Sequence, residues 1–208
     1  MPPRMITNVF FAGGEITTET NDNRIKNSKP QRKSVKLRDY DYSSPGMYYF
    51  TLCSHEKEHF FGWIANSKMH LNQAGSMLEK WLNKIEQKFT GIQSIHQQIM
   101  PNHLHGIIQI SDKTKEIENG LSGSPCAVLP TFFDVIGWFK TMTTNDYIKG
   151  VKTEGWQRFQ KQLWQRSVYE HIIRDEEEYE HAILYINRNP ERWSEDKYNP
   201  SRGGGPSD

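Results

Sequence analysis

Apolar positions concentrate between about residues 34 and 193, and their period changes along that span. MYYFTLCS (47–54) alternates and is rich in β-forming side chains, and FFGWIANSKMHLN (60–72) reads as a hairpin turning near Asn66-Ser67. From Gln73 to Phe89, Leu78, Trp81, Leu82, Ile85 and Phe89 recur at helical spacing, predicting an amphipathic helix bounded by Gly91. Two further strands follow, roughly 92–99 and 103–110. The connection Met100-Pro101-Asn102 is short enough to imply antiparallel pairing. A second helix over about 131–149 carries Phe132, Phe133, Ile136, Phe139 and Met142 on its apolar side.

After a loop to about Lys161, LWQRSVYEHIIRD leads into a last helix, whose face is drawn by Tyr179, Ala182, Ile183 and Ile186. Asp175 with Glu178 three residues on is an N-cap pattern, and acids in a first turn complement the helix macrodipole. DEEEYE is therefore read as a helix start rather than a metal cluster. Strand, hairpin, helix, two strands, helix, helix is an α+β order: an antiparallel sheet with helices packed on it.

The ends differ in composition. Residues 1–33 are polar and read as a disordered or basic leader, residues 34–194 as the folded domain, and residues 195–208, closing on SRGGGPSD, as a disordered tail. Residues 111–130, with Gly120, Gly123 and Pro125, read as a loop.

A mean hydropathy of −0.79 with only 35% hydrophobic residues reflects those ends, because aromatics still reach 12%. No run approaches the roughly 18 apolar residues of a membrane span, and no signal-peptide pattern opens the chain, so a cytoplasmic protein is expected. Cys53 and Cys126 form no CxxC pair, which points away from a disulfide framework or a zinc finger. The net charge of +1 hides an asymmetry: Arg24, Lys26, Lys29, Arg32, Lys33, Lys36 and Arg38 follow one another without an acid. Such an arm can neutralise phosphates; it can equally be a solvated leader.

Chemistry gathers at MPNHLHG, residues 100–106. Strand side chains alternate faces, so His103 and His105 share one face while Leu104 points to the other. Two neutral imidazoles at that spacing can bind one divalent ion, though two half-exposed histidines give the same pattern. On the last helix Tyr185 and Asn189 stand one turn apart and can address one point in space. Separately they also read as a packing tyrosine and a helix-terminal residue before Pro190. Together, histidine pair, phenol and amide would make a nuclease in which a metal polarises a phosphodiester and a phenol attacks it. Arg166, Tyr169, His171 and Arg174, just upstream, can stack on bases and meet phosphates, or pack the segment on the sheet.

VKLRDYDYSSPGMYYFTLCS, FGWI, MPNHLHGIIQI and LWQRSVYEHIIRDEEEYEHAILYINRNPERW together resemble the REP-associated tyrosine transposases, of the single-tyrosine, His-hydrophobic-His superfamily. The resemblance covers about residues 35–193 and implies a ferredoxin-like fold. It implies His103, His105 and Asn189 as ligands of Mg²⁺ or Mn²⁺, and Tyr185 as the nucleophile. It also implies cleavage of single-stranded DNA near hairpins through a 5′-phosphotyrosine, by a monomer. Arg38, Arg166, Tyr169, His171 and Arg174 would then meet DNA. Other readings are a domesticated hairpin-binding protein without cleavage and a phosphohydrolase that uses water. Asn187-Arg188 stands where the family pattern is more apolar.

Overall fold

A computed structural model describes residues 40–112 and 130–201. The basic arm with Arg38, Cys126 and most of the 111–130 loop lie outside them. In chain order the elements are β1 (Gly46–Cys53), β2 (Gly62–Ala65), β3 (Lys68–Leu71), α1 (Gln73–Leu82), α2 (Ile85–Lys88), β4 (Ile92–Ile99), β5 (His103–Ile110), α3 (Phe132–Thr153), β6 (Tyr169–Ile173) and α4 (Glu176–Arg188). The architecture is α+β. β4, β5, β1 and β6 form one sheet in that spatial order, every pair antiparallel, and β2 and β3 form a separate hairpin. Asn66 and Ser67 both have positive φ, at 49° and 58°, the twist that a two-residue hairpin turn requires.

β1 and β5 occupy the centre of the sheet and are covered on both faces, so nearly all their residues are buried, the two histidines of β5 among them. Tyr48, Phe50, Leu52, Leu104 and Ile108 face the larger core, with Leu78 of α1 and Phe132 and Phe139 of α3. Burying a side chain such as Leu104 is worth about 1.5–3 kcal/mol. On the other face Tyr49, Ile107 and Ile173 pack against Ile186 of α4, with Tyr179, Ala182 and Ile183 beside them. Gly106 lies opposite Phe50, and a Cβ there would meet the Phe50 ring at 2.6 Å.

Several boundaries differ from the sequence reading. The first helix breaks at Asn83 and Lys84 into α1 and the four-residue α2. α3 runs four residues past the expected 149, to Thr153. Its buried Gly150 lies against the Trp156 indole, and Gly155 at φ 72° then turns the chain away. YEHII, expected as a lead-in to the last helix, is the edge strand β6, with Tyr49 paired to His171 and Phe50 to Glu170. Glu170 and His171 hide its strand character, yet Glu170 is buried and accepts a hydrogen bond from the Tyr42 hydroxyl at 3.2 Å.

The expected tail from residue 195 is also structured at its start. Trp193–Glu195 forms a 3₁₀ turn, and the following residues cross the histidine face of the sheet. Polar composition suggested disorder there, but the segment is tied by its backbone: Lys57 Nζ donates to the Lys197 carbonyl at 2.8 Å, and Asn102 Nδ2 to the Tyr198 carbonyl at 2.8 Å.

Candidate metal and nucleophile site

β5 delivers His103 and His105 to the face covered by α4, both fully buried. Their Nε2 atoms face each other at 2.9 Å. Asn102 sets the tautomer of His103. Its Nδ2 donates to the carbonyls of Lys57 (2.9 Å) and Tyr198 (2.8 Å), so its Oδ1 is the acceptor for His103 Nδ1–H at 2.8 Å. That leaves a lone pair on His103 Nε2. His105 Nδ1 lies 2.7 Å from the Tyr49 hydroxyl and 2.9 Å from Thr51 Oγ1. Because hydroxyls both donate and accept, they can serve either tautomer of His105.

The separation of the two nitrogens suits a shared ion. At metal–nitrogen distances of about 2.0–2.1 Å, nitrogens at this spacing subtend roughly 90°. Asp196 adds a carboxylate: its side chain is 5% exposed, Oδ2 lies 3.8 Å from His103 Nε2, and the ligand atoms of His103, His105 and Asp196 fall within 4.8 Å of one another. Burial holds His103 well below the ordinary imidazole range, aided by His105 and nearby Lys197 and Lys57. Burial likewise pushes His105 down to about 3; Lys197 adds to this, while a hydrogen bond with Asn189 opposes it. Neutral rings are the ligand form of histidine, so the donors present fit a divalent ion.

α4 brings the remaining groups, and its start is set locally. Asp175 accepts from Glu178 N at 2.8 Å, and Glu178 Oε2 accepts from Arg174 N at 2.9 Å, one residue before the cap. Asn189 is buried at the helix end and donates through Nδ2 to the Tyr185 carbonyl at 2.7 Å. Its oxygen is therefore free to meet His105, the bond that raises the His105 pKa. Tyr185 is 44% exposed, its ring centroid 5.4 Å from that of His105 and 6.3 Å from that of Tyr49. Partial burial raises its pKa and Asp196 raises it further, while Arg192 acts in the opposite direction. Tyr185 thus joins the histidines on one face, as do Asn189 and, unforeseen, Asp196.

Two cavities flank Tyr185. One, about 440 Å³, is bordered by His181, Arg188, Asn189, Arg192 and Asp196. The other, about 370 Å³, is bordered by Tyr49, Thr51, Tyr169, His171 and Glu178. Of the DNA-contact candidates, Tyr169 and His171 therefore reach the site. Tyr169 is 46% exposed, and His171 Nε2 lies 3.2 Å from Glu178 Oε2. Arg174 is exposed and pairs with Glu178 at 3.7 Å. Arg166 is exposed, but its carbonyl, with those of Gln165 and Ser167, is held by half-buried Lys140, whose pKa burial lowers to about 8.

Sequence reasoning missed Asn102, read there as a turn residue, and Asp196, placed in the tail. The Asx-type spacing Asp196-x-Tyr198 was the one local signal: Tyr198 N donates to Asp196 Oδ1 at 2.7 Å. Cys53, across from His103 in the register, is a buried free thiol raised to about 11 by burial.

No family model matches the chain. An uncharacterized protein of Haemophilus influenzae is 36% identical over 171 residues, 80% of this chain and 92% of that one. Among solved structures, the REP-associated tyrosine transposase bound to a REP hairpin superposes with a TM-score of 0.51 at 19% identity, over 79% of this chain and 77% of that one. The chain belongs to the Haemophilus protein's family and has the fold of the REP-associated tyrosine transposase. A candidate transposase from Deinococcus radiodurans aligns more loosely, at a TM-score of 0.39 and 15% identity over 74% of this chain and 96% of that one. Among the described residues, no helix is long and apolar enough to cross a membrane.

Proposed function

We propose that the protein is a metal-dependent single-stranded DNA endonuclease and strand transferase of the REP-associated tyrosine transposase type, acting near DNA hairpins as a monomer. The observation that carries this reading is the half-exposed Tyr185 phenol beside the buried His103–His105 pair, with Asn189 one helical turn away. The order β4-β5-β1-β6, with α1 and α3 packed on one face, supports a ferredoxin-like reading of the sheet. Residues 34–194 would form the catalytic domain, and the arm with Arg38 would add phosphate contacts.

His103, His105 and Asn189 would hold Mg²⁺ or Mn²⁺, which supplies charge stabilisation to a scissile phosphate. Tyr185 Oη attacks phosphorus; the Oη–P bond forms, the P–O3′ bond breaks, and the leaving 3′ oxygen takes up a proton. The products are a 5′-phosphotyrosine and a free 3′-OH, and the reverse attack by a 3′-OH rejoins strands. With its pKa raised, Tyr185 rests protonated at neutral pH and must lose its proton as it attacks. Arg192 favours the phenolate, and His181 borders both cavities through which the proton can leave. Tyr169 and His171 would stack and orient bases on one side of the phenol, with Arg188 and Arg192 meeting phosphates on the other. Arg166 and Arg174 extend that track along the exposed rim.

The test is a labelled single-stranded hairpin panel with Mn²⁺, resolved on a denaturing gel. A covalent protein–DNA adduct is expected, absent in Tyr185→Phe. Cleavage that survives Tyr185→Phe would mean a water-using phosphohydrolase, and binding without any adduct across the panel would mean a hairpin-binding module.

A further inference from the structure

The donor set at the histidines is larger than the resemblance implies. Asp196 Oδ1 is occupied by the Tyr198 amide at 2.7 Å, which turns Oδ2 toward His103 Nε2 at 3.8 Å. A carboxylate held by one oxygen and aimed by the other is how ligating carboxylates are oriented. The group it faces has no proton to offer: Asn102 Oδ1 takes the Nδ1–H of His103, so Nε2 of the neutral ring carries a lone pair. His105 Nε2 looks into the same space from 2.9 Å. Three ligand atoms from three side chains, each at least nine-tenths buried, converge within 4.8 Å of one another.

We propose that Asp196 is itself a ligand of the divalent ion, so that the segment Trp193–Tyr198 is fastened to the sheet through the metal. This rests on the metal site of the proposed function and adds to it a hard anionic oxygen from outside β5 and α4. Its surroundings are built for the role. The Trp193 and Tyr198 rings lie against His103, with centroids at 6.1 and 4.7 Å, and Asn102 ties the Tyr198 carbonyl to the turn that carries the histidines. The ligand and its support thus share one hydrogen-bonded segment. By linkage, an ion that binds through Asp196 must also stabilise the ordered form of that segment.

Mn²⁺ binding to the full-length protein, followed by titration calorimetry and by the electron paramagnetic resonance signal of free Mn²⁺, tests this. Asp196→Asn, which keeps size and hydrogen bonding but removes the charge, is expected to weaken Mn²⁺ at least tenfold, with His105→Ala as the reference for a lost ligand. In the unmodified protein, Mn²⁺ is expected to slow amide exchange at residues 196–199, and not in His105→Ala. Unchanged Mn²⁺ affinity in Asp196→Asn, with binding lost in His105→Ala, would overturn the Asp196 assignment while leaving the histidine site standing. Should Asp196→Asn not fold, unaltered exchange at 196–199 on Mn²⁺ addition to the unmodified protein would overturn it. Absence of any Mn²⁺ binding by the unmodified protein would overturn both this assignment and the metal in the proposed function.

Discussion

His105 is fully buried between two hydroxyls and a second imidazole, an environment that disfavours its protonation and suits a candidate ligand. Both histidines are held neutral when folded, His105 down to about 3, whereas the unfolded chain binds protons near pH 6.5. Between those values the unfolded state carries the extra protons, so stability is fully present above about pH 6.5 and falls as pH drops toward 3. Each such group contributes a slope of up to about 1.4 kcal/mol per pH unit. In metal-free protein, urea unfolding between pH 7 and 4 is expected to show a shallower pH dependence for His105→Gln than for the unmodified chain. Equal slopes would show that His105 is not held neutral. That the two histidines share one strand face was legible from alternation alone. Asn102 was not, because its importance comes from Lys57 and Tyr198, 45 and 96 residues away.

At the scale of elements, α4 and β5 carry the site, and each depends on one residue whose role can be measured. Asp175 caps α4 through the Glu178 amide, so Asp175→Ala is expected to cost about 1 kcal/mol of stability by chemical denaturation. A cost near zero would mean that Glu178 and solvent suffice to hold the first turn. In β5, Gly106 gives the Phe50 ring the space a Cβ would fill at 2.6 Å. Gly106→Ala should therefore cost about 1–3 kcal/mol by overpacking and shift His105 beside it, read as lowered melting temperature together with weakened Mn²⁺ binding. The cap was readable because its partners lie three residues apart. The glycine was readable only as part of a motif, since its reason is a ring on the neighbouring strand. β6 escaped for the same cause: a five-residue segment holding Glu170 and His171 becomes a strand by pairing with β1.

Across the whole molecule, a net charge of +1 leaves little general attraction for nucleic acid, so the proposed DNA binding would have to come from local clusters. Arg188 and Arg192 border one cavity at Tyr185, and Tyr169 and His171 border the other. For a single-stranded probe measured by fluorescence anisotropy at several salt concentrations, Arg188→Ala is expected to reduce the slope of log K against log salt by about 0.7, one phosphate contact. An unchanged slope would remove Arg188 from the phosphate track. The molecule spends its larger core on joining α1 and α3 to the sheet, and leaves the opposite face to the histidines, α4 and residues 193–198.

What the amino-acid sequence determined by itself is what acts over short range. Alternation along β5, the Asp175 cap and the one-turn spacing of Tyr185 and Asn189 all follow from backbone geometry and neighbours a few residues apart. The tertiary structure alone decided that those two helix positions face the histidine pair, that YEHII completes the sheet, and that a polar stretch after residue 193 returns to place Asp196 within 4.8 Å of both rings. The reason is that such contacts are made by partners about 80 to 120 residues distant, and the period and composition of a local window carry no record of which distant side chain will close on it.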